Sequence, residues 1–175
     1  IDIDTLKTLP KREILSGLSE AIKYGVIWDG DLFSYIKKNR EDVLKLHHEA
    51  LSFIINRSCE IKAEVVSIDE KESGLRAILN YGHTIGHAIE TETMYARFLH
   101  GEAVAIGMHI EARLAEIMGL INRDSVLEIK DIIDSYGLPS ELPPDLNVDK
   151  LISHMEMDKK VVAGKMKFIL PENIG

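Results

Sequence analysis

The segment from residue 75 to residue 92, LRAILNYGHTIGHAIETE, carries the side chains best suited to chemistry. If it forms one α-helix, five polar residues fall within an arc of about 80°: Arg76, Asn80, His83, His87 and Glu90. A solvated face usually carries lysine and glutamate in i,i+4 pairs. Guanidinium, amide and imidazole groups instead bind anions and metals or transfer protons. The stripe therefore predicts a binding or catalytic face, with an ordinary histidine-rich surface as the alternative.

Two residues outside this segment could complete a metal site. Glu20 precedes Lys23 in SGLSEAIKYG, and His100 stands at the expected start of another helix, where partial positive charge favours neutral, metal-ligating imidazole. Two histidines and one carboxylate form a known set for catalytic zinc that leaves a coordination position open. Spacing alone does not decide whether such residues meet. The pair His83 and His87 has zincin spacing but lacks the glutamate of HExxH, so a zincin protease is not expected.

The other histidines are expected to have ordinary structural roles. His47 and His48 lie in a charged helical segment and should be solvated. His154 is expected at the surface or in local support of a neighbour. His109 lies within an apolar helix, where a hydrogen-bonded core residue is the simplest interpretation.

The composition limits the class of protein. The 175 residues, 45% apolar and 29% charged, fit one domain with a hydrophobic core. The net charge of −8 and the aromatic content of 6% argue against a nucleic-acid partner. No apolar run approaches the roughly 18 residues of a membrane span, so no membrane partner is expected. The single cysteine, Cys59, excludes a disulfide within the chain and favours a reducing, cytoplasmic setting.

A helical period dominates the chain and predicts a mostly α fold. The expected helices are one after Pro10, a short one near residues 32–36, a long one from Arg40 to residues 72–74, one over residues 75–92, an apolar one from His100 to Gly119, one from Asn122 or Asp124 to Gly137, and a short one over residues 151–157. Apolar residues on most sides of the helix after His100 place it in the core. Gly82 and Gly86 would let another backbone approach. Residues 161–170 predict a small hairpin or extended arm.

The ends of the sequence suggest a piece of a longer protein. Ile1 is not an initiator methionine, and the chain stops at ILPENIG directly after an apolar run. We therefore expect an excised fragment, with processing or a removed tag as the alternative.

Four blocks in order along the chain resemble the C-terminal half of the 3-dehydroquinate synthase family of sugar phosphate cyclases. They are SGLSEAIKYG, the stretch from KAEVV to DEKESGLRAILN, GHTIGHAIE and LHGEAVAIGM. The ordered set is far more specific than any single block, and the resemblance extends from about Asp4 to Gly175. It implies that residues 1–175 form a single, mostly α, multi-helix metal- and substrate-binding domain. The implied fold is dehydroquinate synthase-like or metal-dependent alcohol dehydrogenase-like, with at most a small hairpin.

The resemblance also implies an activity with its cofactors. Members of the family convert 3-deoxy-arabino-heptulosonate 7-phosphate to 3-dehydroquinate and phosphate in the shikimate pathway of aromatic amino acid biosynthesis. They use Zn²⁺ or Co²⁺ and tightly bound NAD⁺, which is held mainly by an N-terminal domain outside the present sequence. The implied partner is a small-molecule sugar phosphate, and the family commonly forms homodimers, although the sequence indicates no interface. The isolated piece is expected to be inactive because the NAD⁺ site is missing.

Site residues follow from the resemblance, position by position. The implied metal ligands are Glu20, His83 and His100. The implied catalytic residues are His87, which is linked to proton transfer, Lys23 and Glu72. The implied substrate-binding residues are Lys62, Arg76, Asn80, Lys159 and Lys160. The lysine pair belongs to a motif near the phosphate, and the sequence leaves open which of the two points inward.

Three other functions fit parts of the pattern. A related cyclase, such as 2-deoxy-scyllo-inosose synthase or a valiolone synthase, would share the metal residues. A metal-dependent glycerol or alcohol dehydrogenase would share the two-domain plan, but it fits the lysine-rich pocket less well. A helical domain without catalytic activity is the alternative from a different class.

Overall fold

The computed structural model describes residues 2–71, 74–157 and 166–175, and in that part of the chain every regular element is helical. Eight α-helices and two 3₁₀ helices are described. The α-helices are α1 (Lys11–Ile27), α2 (Gly30–Lys38), α3 (Arg40–Leu44), α4 (His48–Ile68), α5 (His83–Glu92), α6 (His100–Ile117), α7 (Arg123–Ser135) and α8 (Val148–Met157). The 3₁₀ helices span Ile3–Thr8 and Leu75–Asn80. The prediction of a mostly α fold is thus confirmed.

Several helix ends are confirmed at the residues that the sequence indicated. Pro10 is the N-cap of α1, where its missing N–H costs no helical hydrogen bond. The Asn122 side chain caps α7 by accepting from the backbone N–H of Ser125 at 2.9 Å. Gly119 and Gly137 follow α6 and α7 with φ of 74° and 75°, the left-handed conformation that closes a helix.

Two predicted helices are broken in the structure. The helix predicted from Arg40 to residues 72–74 divides into α3 and α4, and between them Leu46 has a φ of 56°. The helix predicted over residues 75–92 divides into a 3₁₀ turn and α5, because Gly82 has a φ of 77°. The single helical stripe of five polar residues is therefore wrong. Only His83, His87 and Glu90 share one helix, α5.

Helix α6 is central in the core, as its apolar pattern predicts. Ala103, Val104, Ile106 and Met108 have no exposed surface. Helix α6 packs against α1, α5 and α7, and its contact with α5 is the most extensive of the three. Helices α5 and α6, which begin with His83 and His100, are thus held side by side.

Glycines make the close packing of α5 on α6 possible. A Cβ at Gly82 would lie 2.7 Å from the carbonyl oxygen of Val104, and one at Gly86 would lie 3.2 Å from the Val104 nitrogen. Gly107 faces Gly82 from α6, where a Cβ would overlap the Gly82 carbonyl. The prediction that Gly82 and Gly86 admit another backbone is confirmed.

The C-terminal region continues without regular structure where it is described. Residues 158–165 lie outside the described residues, and they include residues 161–165, the first part of the predicted hairpin or extended arm. Residues 166–170, its second part, have no helix or strand. Among the described residues, no helix is long and apolar enough to cross a membrane.

Candidate metal centre

Three side chains from three helices converge on one point. Glu20 lies in the middle of α1, whereas His83 and His100 are the first residues of α5 and α6. Nε2 of His83 lies 3.4 Å from Oε1 of Glu20, and Nε2 of His100 lies 3.7 Å from the same oxygen. The candidate ligand atoms all lie within 4.8 Å of one another, so one divalent ion could contact all three.

The hydrogen bonds around this point leave the candidate ligand atoms available to bind a cation. Nδ1 of His83 lies 3.0 Å from the carbonyl oxygen of Tyr81, an acceptor, so this nitrogen carries the proton. In the neutral ring, the lone pair is then on Nε2, facing Glu20. The Oε1 atom of Glu20 is buried and accepts no hydrogen bond of good geometry in the described structure. A buried carboxylate oxygen that faces imidazole lone pairs is a suitable place for a positive ion.

The Glu20 carboxyl is ionised at neutral pH, as metal ligation requires. Burial alone would raise its pKa, but the hydrogen bond from His83 when that imidazole is protonated and the charge of the Lys23 ammonium outweigh burial and lower the pKa to about 2. Lys23 Nζ lies 2.6 Å from Oε2 of Glu20 and donates to the Leu79 carbonyl at 2.8 Å. The lysine therefore holds the outer carboxylate oxygen and leaves Oε1 directed at the histidines.

The start of α6 is fixed onto α1 by contacts that sequence reasoning missed. The backbone N–H of Gly101 donates to Oγ of Ser16 at 3.0 Å. Oε2 of Glu102 accepts from the N–H of Leu99 at 2.9 Å, and both carboxylate oxygens bind the Arg12 guanidinium at 2.6 Å. Because Ser16 lies one turn before Glu20, the same helix places both a ligand and the contact that holds α6.

A buried carboxylate that the sequence analysis did not single out binds the backbone at the start of α5. Glu111 of α6 has no exposed surface, and its Oε2 accepts from the N–H of Gly82 at 2.7 Å. The Tyr81 hydroxyl donates to the carbonyl of Met108 at 2.7 Å. These contacts hold the chain immediately before His83. A glutamate inside an otherwise apolar helix was the signal that could have indicated such a role.

A cleft of about 260 Å³ adjoins the candidate metal centre, and positively charged side chains predicted for the site, those of Lys23, Lys62 and Arg76, line it. Its lining residues are Glu20, Lys23, Tyr24, Lys62, Arg76, Leu79, Asn80 and His83. The Asp69 carboxylate accepts from the backbone N–H of Arg76 at 3.0 Å, which anchors the 3₁₀ turn at this cleft. Six predicted site residues therefore line this cleft. Three of them, Arg76, Asn80 and His83, belong to the predicted polar stripe, although they do not share one helix.

His87 lies next to the metal centre but opens on another cleft. Its ring centroid is 5.6 Å from that of His83 and 6.0 Å from that of His100. It lines a cleft of about 320 Å³ together with Thr84, Ala88, Thr91, Tyr95, His154, Met155 and Met157. The imidazole is thus close to the candidate ligands without joining the cleft that contains the cations.

The match to a known family decides the classification. Residues 17–161 match the family described as 3-dehydroquinate synthase C-terminal. The chain belongs to this family. It is 51% identical over 175 residues to the 3-dehydroquinate synthase of Thermodesulfovibrio yellowstonii, and 54% identical to that of Caldanaerobacter subterraneus subsp. tengcongensis. It spans about half the length of these curated relatives, 49% of each.

Solved structures of sugar phosphate cyclases have the same fold as this member of the 3-dehydroquinate synthase C-terminal family. The 2-epi-5-epi-valiolone synthase of Streptomyces hygroscopicus, with NAD⁺ and Zn²⁺ bound, is 26% identical with a TM-score of 0.90; the match covers all of this chain and 49% of that one. A 2-deoxy-scyllo-inosose synthase complexed with carbaglucose-6-phosphate, NAD⁺ and Co²⁺ is 26% identical with a TM-score of 0.80; the match covers 99% and 48%.

Three residues that the family resemblance implies lie outside the described residues: Glu72, Lys159 and Lys160. The histidines given structural roles are placed as expected. His109 is 3% exposed, and its Nδ1 lies 2.8 Å from the Ser140 carbonyl. Nε2 of His154 lies 3.0 Å from Oε2 of Glu92, so this histidine contacts the last residue of α5. The side chain of His47 is 58% exposed.

Proposed function

We propose that this chain is the metal- and substrate-binding domain of a 3-dehydroquinate synthase. The complete enzyme would convert 3-deoxy-arabino-heptulosonate 7-phosphate to 3-dehydroquinate and phosphate, in the cytoplasm, as part of aromatic amino acid biosynthesis. The observation that carries the proposal is the convergence of Glu20, His83 and His100 beside a cleft lined by cations. Identities of about 50% to 3-dehydroquinate synthases over the whole chain support the choice within the family.

Glu20, His83 and His100 would hold the divalent ion. One carboxylate and two imidazoles suit Zn²⁺ or Co²⁺ and leave a coordination position for substrate. When bound, such an ion supplies Lewis acidity that polarises a substrate hydroxyl. Lys23 would keep Glu20 oriented, since its ammonium binds the other carboxylate oxygen at 2.6 Å.

The positively charged side chains that line the cleft would bind the anionic groups of the substrate. Arg76 offers a planar, bidentate donor, whereas Lys62 offers a mobile point charge on the exposed side of the cleft. Asn80 would donate to or accept from a substrate hydroxyl. A protein with a net charge of −8 can still bind an anion here, because the local arrangement of charges sets the potential of a site.

The remaining assignments complete the proposal. His87 would transfer protons, since its ring centroid lies 5.6 Å from that of His83 and 6.0 Å from that of His100. Glu72 would act in catalysis, and Lys159 and Lys160 would bind phosphate. NAD⁺ would be bound mainly outside residues 1–175, and the enzyme would act on a small molecule as a homodimer.

The decisive experiment compares three substrates with the complete protein that contains this chain. Phosphate release is measured with 3-deoxy-arabino-heptulosonate 7-phosphate, with glucose 6-phosphate and with a heptulose 7-phosphate that lacks a carboxylate, each with NAD⁺ and Zn²⁺. We expect turnover of the carboxylated substrate only. Preference for either other substrate would contradict the proposal and favour another cyclase, the second candidate that the TM-score of 0.90 to a valiolone synthase supports.

Residues 1–175 expressed alone are proposed to be inactive. The full-length relatives are about twice as long, and NAD⁺ would be bound mainly by the part of the protein outside residues 1–175. Steady phosphate release by this chain alone, with NAD⁺ and Zn²⁺ present, would contradict this part of the proposal.

A further inference from the structure

The nitrogen of His100 that faces away from the metal centre meets a buried carboxylate. Nδ1 of His100 lies 3.1 Å from Oε1 of Glu90, and the Glu90 side chain is only 9% exposed. The His100 side chain is 46% exposed at the first position of α6, and its ring lies beside the rings of His83 and His87. The contact with Glu90 is the hydrogen bond that the structure gives its Nδ1 atom.

The two histidines of the metal centre share one hydrogen-bonding pattern. Nδ1 of His83 donates to the Tyr81 carbonyl, and Nδ1 of His100 faces the Glu90 carboxylate. A carboxylate only accepts, so the proton is on Nδ1 of His100. The lone pair of the neutral ring is then on Nε2, the atom 3.7 Å from Glu20.

We propose that Glu90 is a positioning residue for the metal centre. Its carboxylate accepts the Nδ1–H of His100, selects that tautomer and directs Nε2 at the ion held with Glu20 and His83. This inference rests on the proposed function, because it assumes that these three residues bind a divalent ion. Carboxylate partners of ligating histidines typically contribute 10–100-fold, as an order of magnitude, to metal affinity.

The helix that supplies one ligand also supplies the support for the other. His83 and Glu90 are seven residues apart in α5, about two turns, and so lie on the same side of the helix. Any shift of α5 along α6 would change the distance from Glu20 to His83 and the distance from Glu90 to His100 together. Glu90 thus makes His100 dependent on the correct packing of α5.

A second ion is the competing explanation for the same residues. His87, Glu90 and His100 also have candidate ligand atoms within 4.8 Å of one another. A neutral imidazole has one lone pair, however, and cannot ligate one ion through Nε2 and another through Nδ1. The two groups therefore cannot be occupied together, and we expect one metal ion per chain. Because Oε1 of Glu20 is buried without a hydrogen bond of good geometry in the described structure, we place that ion at Glu20, His83 and His100, with Glu90 as a hydrogen-bond acceptor.

The test uses the complete protein with Glu90→Ala and Glu90→Gln, and Glu92→Ala as the matched control. Glu92 is a partly buried carboxylate of the same helix, but it binds Lys150 and His154 instead of a candidate ligand. Zn²⁺ affinity is measured by competition with a chelator, the Co²⁺ complex by its visible absorption, and the His100 tautomer in the metal-free protein by ¹⁵N NMR.

We expect Glu90→Ala to weaken Zn²⁺ binding by roughly 10–100-fold, to alter the Co²⁺ spectrum and to shift the proton of His100 toward Nε2. Glu90→Gln keeps an acceptor oxygen and should lie between wild type and Glu90→Ala. Glu92→Ala should match wild type in all three measurements. Wild-type zinc affinity and an unchanged tautomer in Glu90→Ala would overturn the inference while leaving the proposed function intact. A wild-type protein that binds no zinc, or two zinc ions per chain, would also overturn it.

Discussion

A side chain at Gly101 would overlap the main chain of Ser16. A Cβ at this position would lie 2.6 Å from the carbonyl carbon of Ser16 and closer still to the carbonyl oxygen. Because Gly101 directly follows His100, and Ser16 is one turn from Glu20, this contact sets the distance between two candidate metal ligands. The glycine therefore supports the candidate metal centre although it offers no ligand atom.

Gly101→Ala should push the start of α6 away from α1 and separate His100 from Glu20. Forcing an extra methyl group into such a contact costs about 1–3 kcal/mol, and we expect Zn²⁺ affinity to fall at least roughly tenfold, in line with the loss of other supports of a ligand. Chelator competition and urea unfolding measure the two effects.

Gly17→Ala is the control for that substitution. Gly17 lies in α1 beside Ser16, and nothing lies within 4 Å of the position its Cβ would take. Alanine there should raise the free energy of unfolding by up to about 1 kcal/mol, the usual gain at a helical glycine, and leave Zn²⁺ affinity unchanged. Equal zinc affinity in both variants would show that the Gly101 contact does not position His100.

Removal of any one of the three candidate ligands should abolish stoichiometric Zn²⁺ binding. We expect about one zinc per chain in the wild-type complete protein and close to none in Glu20→Ala, His83→Ala or His100→Ala. His109→Ala is the control, because His109 is a buried histidine whose Nδ1 binds the Ser140 carbonyl. It should keep its zinc while losing about 1–3 kcal/mol of stability. Equal metal content in all four variants, measured by elemental analysis, would disprove the metal centre.

The sequence indicates which residues belong to the candidate site, whereas it does not indicate the backbone conformation that places them. Gly82 occurs within a helical pattern, where a glycine is usually tolerated, and that pattern indicates neither its φ of 77° nor the packing of Gly107 against it. The expected arc of five polar residues was wrong for this reason. Arg76 and Asn80 nevertheless reach the cleft of His83, because the 3₁₀ turn ends immediately before α5.

The supports of the metal centre were missed because their partners are far apart in sequence. Ser16 and Gly101 are separated by 85 residues, and Arg12 and Glu102 by 90 residues. No periodicity links such positions, since the two partners of each pair lie on different helices, α1 and α6. The sequence indicates Glu90 only as a member of the polar stripe, because its contact with His100 exists only when α5 and α6 lie side by side.

The contribution of the Arg12–Glu102 pair to stability should depend on pH. Burial alone would raise the pKa of Glu102, but the Arg12 guanidinium and the N–H of Leu99 outweigh it and hold the pKa below the ordinary value of 4.5. A lowered pKa in the folded state gives stability that is present above the unfolded value and is lost as pH falls through the folded value. Arg12→Ala should therefore lower the urea midpoint at pH 7, and its difference from wild type should shrink below pH 4.5.

Lys37→Ala serves as the control for the pH measurement. Lys37 pairs with Glu128 at 2.9 Å, but both side chains are more than 40% exposed, and such pairs contribute little. Its urea midpoint should stay close to that of wild type at both pH values. A constant difference between Arg12→Ala and wild type across this range would mean that Arg12 acts through packing and not through the Glu102 charge.

Lys62→Ala should weaken substrate binding more than it slows the chemical step. Lys62 is an exposed residue of α4 that lines the cleft next to the candidate metal ligands, but it does not contact them. Loss of a hydrogen bond to a charged group costs about 1.5–3 kcal/mol, so KM for the sugar phosphate should rise roughly 10–100-fold while kcat changes less. Lys45→Ala, at an exposed lysine that does not line the cleft, should leave both constants unchanged. A large fall in kcat at unchanged KM would instead assign Lys62 to the reaction itself, and unchanged constants would remove it from the substrate site.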